Sequence, residues 1–233
     1  MQISHRSYQK ELLDQEDIPF EAIQQNMAEL NTINTFLGGH RVSLKGFKKL
    51  AGTKKEISVC EIGCGGGDNL LAIARWCVKK DIRLSPSGID INPNCIAIAK
   101  RKFQDFPQGF RVSDYRLVDL ENNKPGIIFA SLFCHHFTDE EIISMLQWMR
   151  ANSSIGFFIN DLHRHRLAYS SISLITRFFS KSYLVKHDAP LSVLRGFRKK
   201  EWRGLLDRAG IKEYRLEWKW AFRWLIIFQK KQR

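Results

Sequence analysis

Residues 61–69 read EIGCGGGDN. Gly63, Gly65 and Gly67 follow the apolar run ISVC of residues 57–60 and precede NLLAIARWCVKK of residues 69–80. The first run suits a buried parallel strand and the second a helix, with Asp68 placed to cap it. Glycines at such a turn let the chain reverse sharply and let a ligand approach the backbone. The helix that follows presents unpaired amide groups. A dinucleotide loop would carry a further glycine where Asp68 stands, because that position packs helix on sheet. A carboxylate there faces a pyrophosphate poorly, and Glu61 suits a cationic group better than a phosphate. Asp90, ending the next strand, can accept both hydroxyls of a ribose. The loop therefore reads as an adenosine-type site with no phosphate requirement.

The alternation of strand and helix continues along the chain. RLSPSGIDI (83–91) is a second strand, and Pro93 opens the helix NCIAIAKRKF. YRLVDL (115–120) reads as a third strand and GIIFASLF (126–133) as a fourth. Thr138 with Asp139, Glu140 and Glu141 marks a helix start running to about Arg150. SIGFFIND (154–161) is a fifth strand, followed by a helical region from about His163 to Phe179. KKEWRGLLDRAG is a helix closing on Gly210, and IKEYRLEWKW with FRWLIIFQK reads as a strand pair. Before all of these, residues 8–50 carry apolar residues at three- and four-residue steps, which predicts helix, with Gly38-Gly39 as a stop and a second short helix over Val42 to Leu50. The pattern predicts an α/β fold with a mostly parallel sheet and a final hairpin. Ligands bind beyond the C-terminal strand ends of such sheets, which singles out Glu61, Gly63, Asp90, Asp119, His135, His136 and Asp161.

The chain of 233 residues is long enough for a full core. No apolar run nears the roughly 20 residues of a membrane-spanning helix. The polar N-terminus lacks a secretory pattern. Five cysteines without a CxxC pair point to a reduced, cytoplasmic compartment. The net charge of +13 lies entirely in residues 163–233, with 18 basic against 5 acidic side chains. That asymmetry points to an anionic substrate, a lipid surface or nucleic acid, or else to a solvated basic face.

ExGxGxG followed by an acid at the second strand end resembles the signature of the class I S-adenosylmethionine-dependent methyltransferases. The resemblance covers about residues 57–230. It implies a Rossmann-like, mostly parallel seven-stranded sheet with a terminal antiparallel hairpin, here with an added N-terminal helical cover over residues 1–55 and a methyltransferase domain over 56–233. It also implies S-adenosylmethionine as cofactor and S-adenosylhomocysteine as product. Gly63, Cys64, Gly65 and Gly67 would wrap the cofactor's amino-acid portion, and Glu61 would hold its ammonium. Asp90 would take the ribose hydroxyls, with Ile91 beside the adenine. Asp119 and Leu120 match the adenine-contacting position, and Ser131 to Phe133 the floor under the sulfonium. In many relatives the fourth strand begins with Asp; Gly126 stands there, an expected change in local packing.

ELLDQED with LNTINTFLGG, SLFCHHFTDEE, and NDLHRHRLAY with HDAPLSVLRGF resemble a bacterial subgroup of small-molecule methyltransferases, related to the ubiquinone and menaquinone enzymes and to enzymes associated with type III polyketide synthases. The subgroup implies a phenol, pyrone or quinol acceptor, perhaps alkylated. A phenol needs a proton acceptor near its oxygen. His135, His136, Asp161 and His163 stand at the right sheet edge; the expected arrangement is a histidine of the HH pair as base, oriented by Asp161. Arg164 and Arg166 could neutralise an anionic acceptor. H-R-H offers only two ligands and no completing residue, so no metal is expected. The segment of about 162–198 exceeds an ordinary crossover and reads as a lid. Two other functions compete. The basic, aromatic tail EWKWAFRW would suit an RNA methyltransferase, although it also alternates as a strand hairpin and no N-P-P-[YF] motif follows strand four. A non-catalytic cofactor-binding protein could keep the same fold.

Overall fold

A computed structural model describes residues 3–15, 17–120 and 123–231. In chain order the elements are α1 (Phe20–Phe36), α2 (Gly39–Ala51), β1 (Glu56–Ile62), α3 (Asp68–Lys79), β2 (Arg83–Asp90), α4 (Pro93–Lys102), β3 (Phe110–Val112), β4 (Ile127–Ser131), α5 (Asp139–Asn152), β5 (Gly156–Leu162), α6 (Arg166–Phe179), α7 (Tyr183–Arg195), α8 (Lys199–Arg208), β6 (Arg215–Lys219) and β7 (Arg223–Gln229). Among the described residues seven strands form one sheet in the order β3-β2-β1-β4-β5-β7-β6. The first five are parallel. β7 returns antiparallel to β5, and β6 pairs with β7 as a hairpin. The order reverses at β1, so the C-terminal ends of β1 and β4 flank the crevice where such sheets take ligands.

Each face of the sheet carries its own core. Val59, Phe129, Phe158 and Leu225 pack under α2, α3 and α4. Ile62, Ile128, Phe157 and Ile159 pack under α5 and α8, where Trp202 is fully buried. β4 through Ala130 and β5 through Ile159 are apolar on both faces because both are covered, as central parallel strands are. Burial of each such large side chain contributes about 1.5–3 kcal/mol.

Four sequence expectations change. YRLVDL is not a strand: Tyr115–Leu117 is a 3-10 turn, and β3 lies earlier at Phe110–Val112. Asp114 accepts a hydrogen bond from Arg116 N, a local side-chain bond that competes with strand pairing. Asp68 is the first helical residue rather than the cap, and Gly67 holds the cap position at φ 74°. Asp68 instead pairs with Lys102 of α4 at 2.6 Å. α6 begins at Arg166, with His165 as its cap, because His163 N and Arg164 N are drawn to the carbonyls of Phe222 and Phe197. The N-terminal region is helical over α1, α2 and a 3-10 turn at Leu12–Asp14, while residues 8–11 are irregular and residue 16 lies outside the described residues. The expected helix at Thr138 is present with a full capping box to Glu141.

Gly126 is crowded as expected of a packing position. A Cβ there would lie 3.0 Å from Ile155 Cδ1 and 3.1 Å from Ser58 O, and its N–H donates to Ser58 Oγ.

Candidate active site

The glycine loop turns at the end of β1. Gly63, Gly65 and Gly67 all have positive φ, a region costly for other residues. A Cβ on Gly63 would meet the Phe133 ring at 2.1 Å, and one on Gly65 would meet Met27 Cε at 2.8 Å. The loop is thus bounded by Phe133, just beyond β4, and by α1 of the N-terminal region. Gly65 N donates to Asp90 Oδ2 at 2.8 Å, and Asn92 N donates to Oδ1 at 2.9 Å. The second strand's terminal acid therefore organises the loop itself. Burial pushes the Asp90 carboxyl up from its ordinary value. Cys64 is buried against Gly88. Ile91 and Asp119 are exposed at the rim, Leu120 is half-buried, and Ser131 is buried.

Glu61 is buried, and burial drives its carboxyl well above the usual range. Oε1 accepts from Asn69 Nδ2 at 3.1 Å, while Oε2 has no hydrogen-bond partner among the described residues. Asn69 Oδ1 lies 2.9 Å from His40 Nδ1, and His40 Nε2 lies 2.9 Å from Asn31 Oδ1, so α1 and α2 are tied to the acid behind the loop. A buried, half-satisfied carboxyl is costly unless a donor or cation completes it.

Four of the predicted residues divide into two settings. His135 and Asp161 meet directly: Nδ1 lies 2.8 Å from Oδ1, and His135 N donates to Oδ2 at 3.3 Å. Both are buried. Burial alone would lower the His135 pKa, but Asp161 and Glu11 outweigh it and raise it to about 9. Burial would raise Asp161, and His135 holds it below its ordinary value. His136 is half-buried beside His135, with ring centroids 4.4 Å apart. His163 lies apart, accepting from Trp218 Nε1 at 3.2 Å, and burial pushes it down to about 4. Arg164 is also spent elsewhere. It is buried, donates from Nε to Ile3 O at 3.1 Å and pairs with Glu201. Arg166 remains exposed.

Glu11 is the residue the sequence did not disclose. Its carboxylate stands 3.5 Å from His135 Nε2 and 3.8 Å from His136 Nε2, and it is buried. Ser192 Oγ donates to it at 2.7 Å. Burial works against its charge, but the hydrogen bond from His135 holds its pKa below the ordinary value. Arg195 and Arg6 fix the same turn by donating to His135 O. Glu11, His135 and His136 each bring one ligand atom within 4.8 Å of the others, a grouping that could hold a metal ion and that H-R-H does not enter. With His135 protonated between Asp161 and Glu11, and Arg195 Nη1 4.0 Å from Glu11, two buried cations face two carboxylates. Two surface cavities lie elsewhere, one beside Lys49 and Arg215 and one beside His163, Arg166 and Lys199.

Residues 59–156 match the family model described as a methyltransferase domain. The match and the sheet together make the chain similar to the class I S-adenosylmethionine-dependent methyltransferases. A plantazolicin methyltransferase in complex with SAH is similar at 20% identity and a TM-score of 0.64, covering 85% of this chain and 74% of that one. Human N-acetylserotonin methyltransferase in complex with SAM is similar at 17% identity and a TM-score of 0.60, covering 91% and 56%. Magnesium protoporphyrin IX methyltransferase from Synechocystis PCC 6803 with bound SAH gives 13% identity and a TM-score of 0.52, covering 93% and 90%. At these identities the likeness is one of fold. No curated protein matches the sequence. The cofactor of the class fits the residues present, because its ammonium group would supply the donor and charge that Glu61 Oε2 lacks.

Proposed function

We propose that this methyltransferase acts on an oxygen of a hydrophobic small molecule, a phenol, pyrone or quinol-like acceptor. The observation that supports it most is the Glu11–His135–His136–Asp161 cluster at the C-terminal ends of β4 and β5, the same edge of the sheet at which β1 runs into the glycine loop. When bound, the cofactor supplies an electrophilic methyl group on a positively charged sulfonium. Glu61 binds the ammonium, Asp90 the ribose hydroxyls, and the Gly63–Gly67 loop, with Cys64, wraps the amino-acid end. Ile91, Asp119 and Leu120 border the adenine, and Ser131 lies under the reacting atoms. His136 takes the acceptor's hydroxyl proton, and the oxygen would then receive the methyl group that the bound cofactor supplies. His135 carries a proton at neutral pH, so it donates hydrogen bonds rather than acting as base. Asp161 and Glu11 hold it in place, and Glu11 faces both rings. Residues 162–198 form the acceptor's lid and residues 1–55 its second cover, in a cytoplasmic enzyme whose five cysteines are free thiols.

Calorimetry checks the cofactor half. S-adenosylmethionine should bind the wild type, and Glu61→Gln should weaken it about 10–100-fold, the worth of one charge-assisted hydrogen bond. Equal affinity of the two proteins would remove Glu61 from the site. Tritiated methyl transfer to alkylated phenols and to bulk RNA checks the acceptor; label in RNA alone would sink the small-molecule reading. Of the tryptophans in EWKWAFRW, Trp224 is buried in the sheet while Trp218 and Trp220 are 46% and 69% exposed, so the labelling experiment decides between the two acceptors.

The outer face of α6 extends the proposal to an anionic membrane surface. α6 packs on α7 and turns Leu167, Leu174 and Phe178 outward in one stripe, at 62%, 59% and 69% exposure. Arg166, Ser170 and Arg177 line one flank of that stripe, and residues 163–187 contain no acid. An exposed apolar stripe edged by arginines suits a lipid interface. Sedimentation with phosphatidylglycerol vesicles should capture the protein more than phosphatidylcholine vesicles do, and Leu174→Ser with Phe178→Ser should release it. No difference between the vesicles would overturn the contact. Among the described residues no helix is long and apolar enough to cross a membrane.

A further inference from the structure

Arg223 opens β7 opposite Leu162, on the face of the sheet that also carries Asn160 two residues earlier in β5. It is only 3% exposed. Nη2 donates to Asn34 Oδ1 of α1 at 2.8 Å. Nε and Nη1 have no hydrogen-bond partner among the described residues. Burial lowers its pKa to about 10, opposed by the charge of Asp161, whose carboxylate is committed to His135. Buried charges are ordinarily paired, and a guanidinium held only by a neutral amide retains most of its desolvation cost.

The position of this cation gives it meaning. A Cβ on Gly39 would lie 3.1 Å from Arg223 Nη2, and Gly39 O accepts from Asn160 Nδ2 at 3.1 Å. Asn160 Nδ2 also lies 3.1 Å from Ser131 Oγ and 3.0 Å from Ser43 Oγ, while its Oδ1 has no partner among the described residues. The guanidinium therefore lies against Gly39, whose carbonyl is linked through Asn160 to Ser131 at the end of β4, under the N-terminal helices. A residue serving only to fill space between Asn34 and Gly39 needs no charge. Asn34 takes one of the two Nη2 hydrogens, so the other, together with Nε or Nη1, leaves one edge of the planar fork to meet two oxygens of a delocalised oxyanion.

We propose that Arg223 anchors an anionic oxygen group of the methyl acceptor, a carboxylate or an ionised enol, beneath α1 and α2, and so selects acidic acceptors. This rests on the small-molecule reading above. It gives Arg223 the neutralising role that Arg164, spent on Ile3, Gly196 and Glu201, cannot fill.

The test uses the full chain saturated with S-adenosylhomocysteine and a panel of hydroxy-aromatic carboxylic acids with their matched carboxamides. Calorimetry should show acids binding about 10–100-fold tighter than amides, the discrimination one charge-assisted pair gives. Arg223→Met should erase that preference, keep S-adenosylhomocysteine binding, and melt no lower than the wild type, because it removes an unpaired buried charge. Arg223→Lys should keep part of the preference, since it retains the charge and loses the fork. An unchanged preference in Arg223→Met would overturn the proposal. So would a melting temperature well below wild type in Arg223→Met, which marks a structural cation, or a wild type indifferent to acid and amide. Methyl label found only in RNA would instead remove the small-molecule reading on which the proposal rests.

Discussion

Asp161→Asn lowers turnover about 10²–10⁴-fold while S-adenosylmethionine binding persists, and His136→Ala does the same, on the usual scale of losing a positioned proton acceptor or its support. Asp161 is completely buried and accepts three hydrogen bonds, from His135 Nδ1, His135 N and Leu162 N. Asparagine replaces one acceptor oxygen by a donor that faces those N–H groups. It also removes the charge that keeps the His135 proton in place against burial. His135 then discharges, and Glu11 loses the partner that holds it facing His136. His136→Ala removes the proposed base itself and, because the residue is half-buried, disturbs packing less. Single-turnover methyl transfer reads the chemical step, and calorimetry reads the cofactor. If Asp161→Asn does not fold, His136→Ala carries the test alone. Full activity in the soluble His136→Ala protein would take the cluster out of the chemistry.

The parts of this site legible in the sequence are those with a local signature. EIGCGGGDN announces its turn because three positive-φ glycines, a covered strand and a helix start adjoin one another. Thr138 and Glu141 announce a capping box for the same reason. β3 was not legible: of its three residues only Phe110 is buried, so there is no periodic signal, whereas Tyr115 and Val118 look strand-like but are buried from a turn. The start of α6 has no local signal, because the bonds that hold His163 and Arg164 out of the helix come from Phe222 in the turn before β7 and from Phe197 before α8. Glu11 has no motif around it. It reaches the HH turn only because α7 carries Asp188, which accepts from Leu12 N and Leu13 N, and Ser192, which donates to Glu11. Arg223 looks like an ordinary strand residue, since the lack of a partner for a cation is a property of three-dimensional packing. Asp161 stands near the end of β5 and meets a histidine of the HH pair, His135, while His136 is half-buried beside it.

Thermal stability should fall as pH rises from about 6.5 to above 9. His135 has a folded pKa of about 9 against its ordinary 6.5, so the folded state binds the proton more tightly. Its contribution is complete below 6.5 and is lost as pH rises through 9. The shift corresponds to about 3 kcal/mol, or about 6–12 °C in melting temperature at about 2–4 °C per kcal/mol for a chain of this size. The groups facing His135 fix the sign: Asp161 from β5, Glu11 from the N-terminal segment, and His136 from its own turn, with Arg195 of α7 and Arg6 bound to its carbonyl. Asp161 and Glu11 have lowered pKa values, so their contribution is lost at the acid end instead. His163 acts in the same acid direction: burial lowers it to about 4, and stability is lost as pH falls from its ordinary value toward that one. Glu61 and Asp90, held above their ordinary values by burial, act the other way in the acid range, so the alkaline decline is the part that reads His135. His135→Gln, which keeps a polar group between Asp161 and Glu11 but cannot titrate, should start lower and lose the alkaline decline. A wild-type melting temperature that stays level from pH 6.5 to 9.5, or an equal decline in His135→Gln, would show that His135 is not held as an imidazolium. The proton would then be free to move at neutral pH, and His135 rather than His136 would become the base.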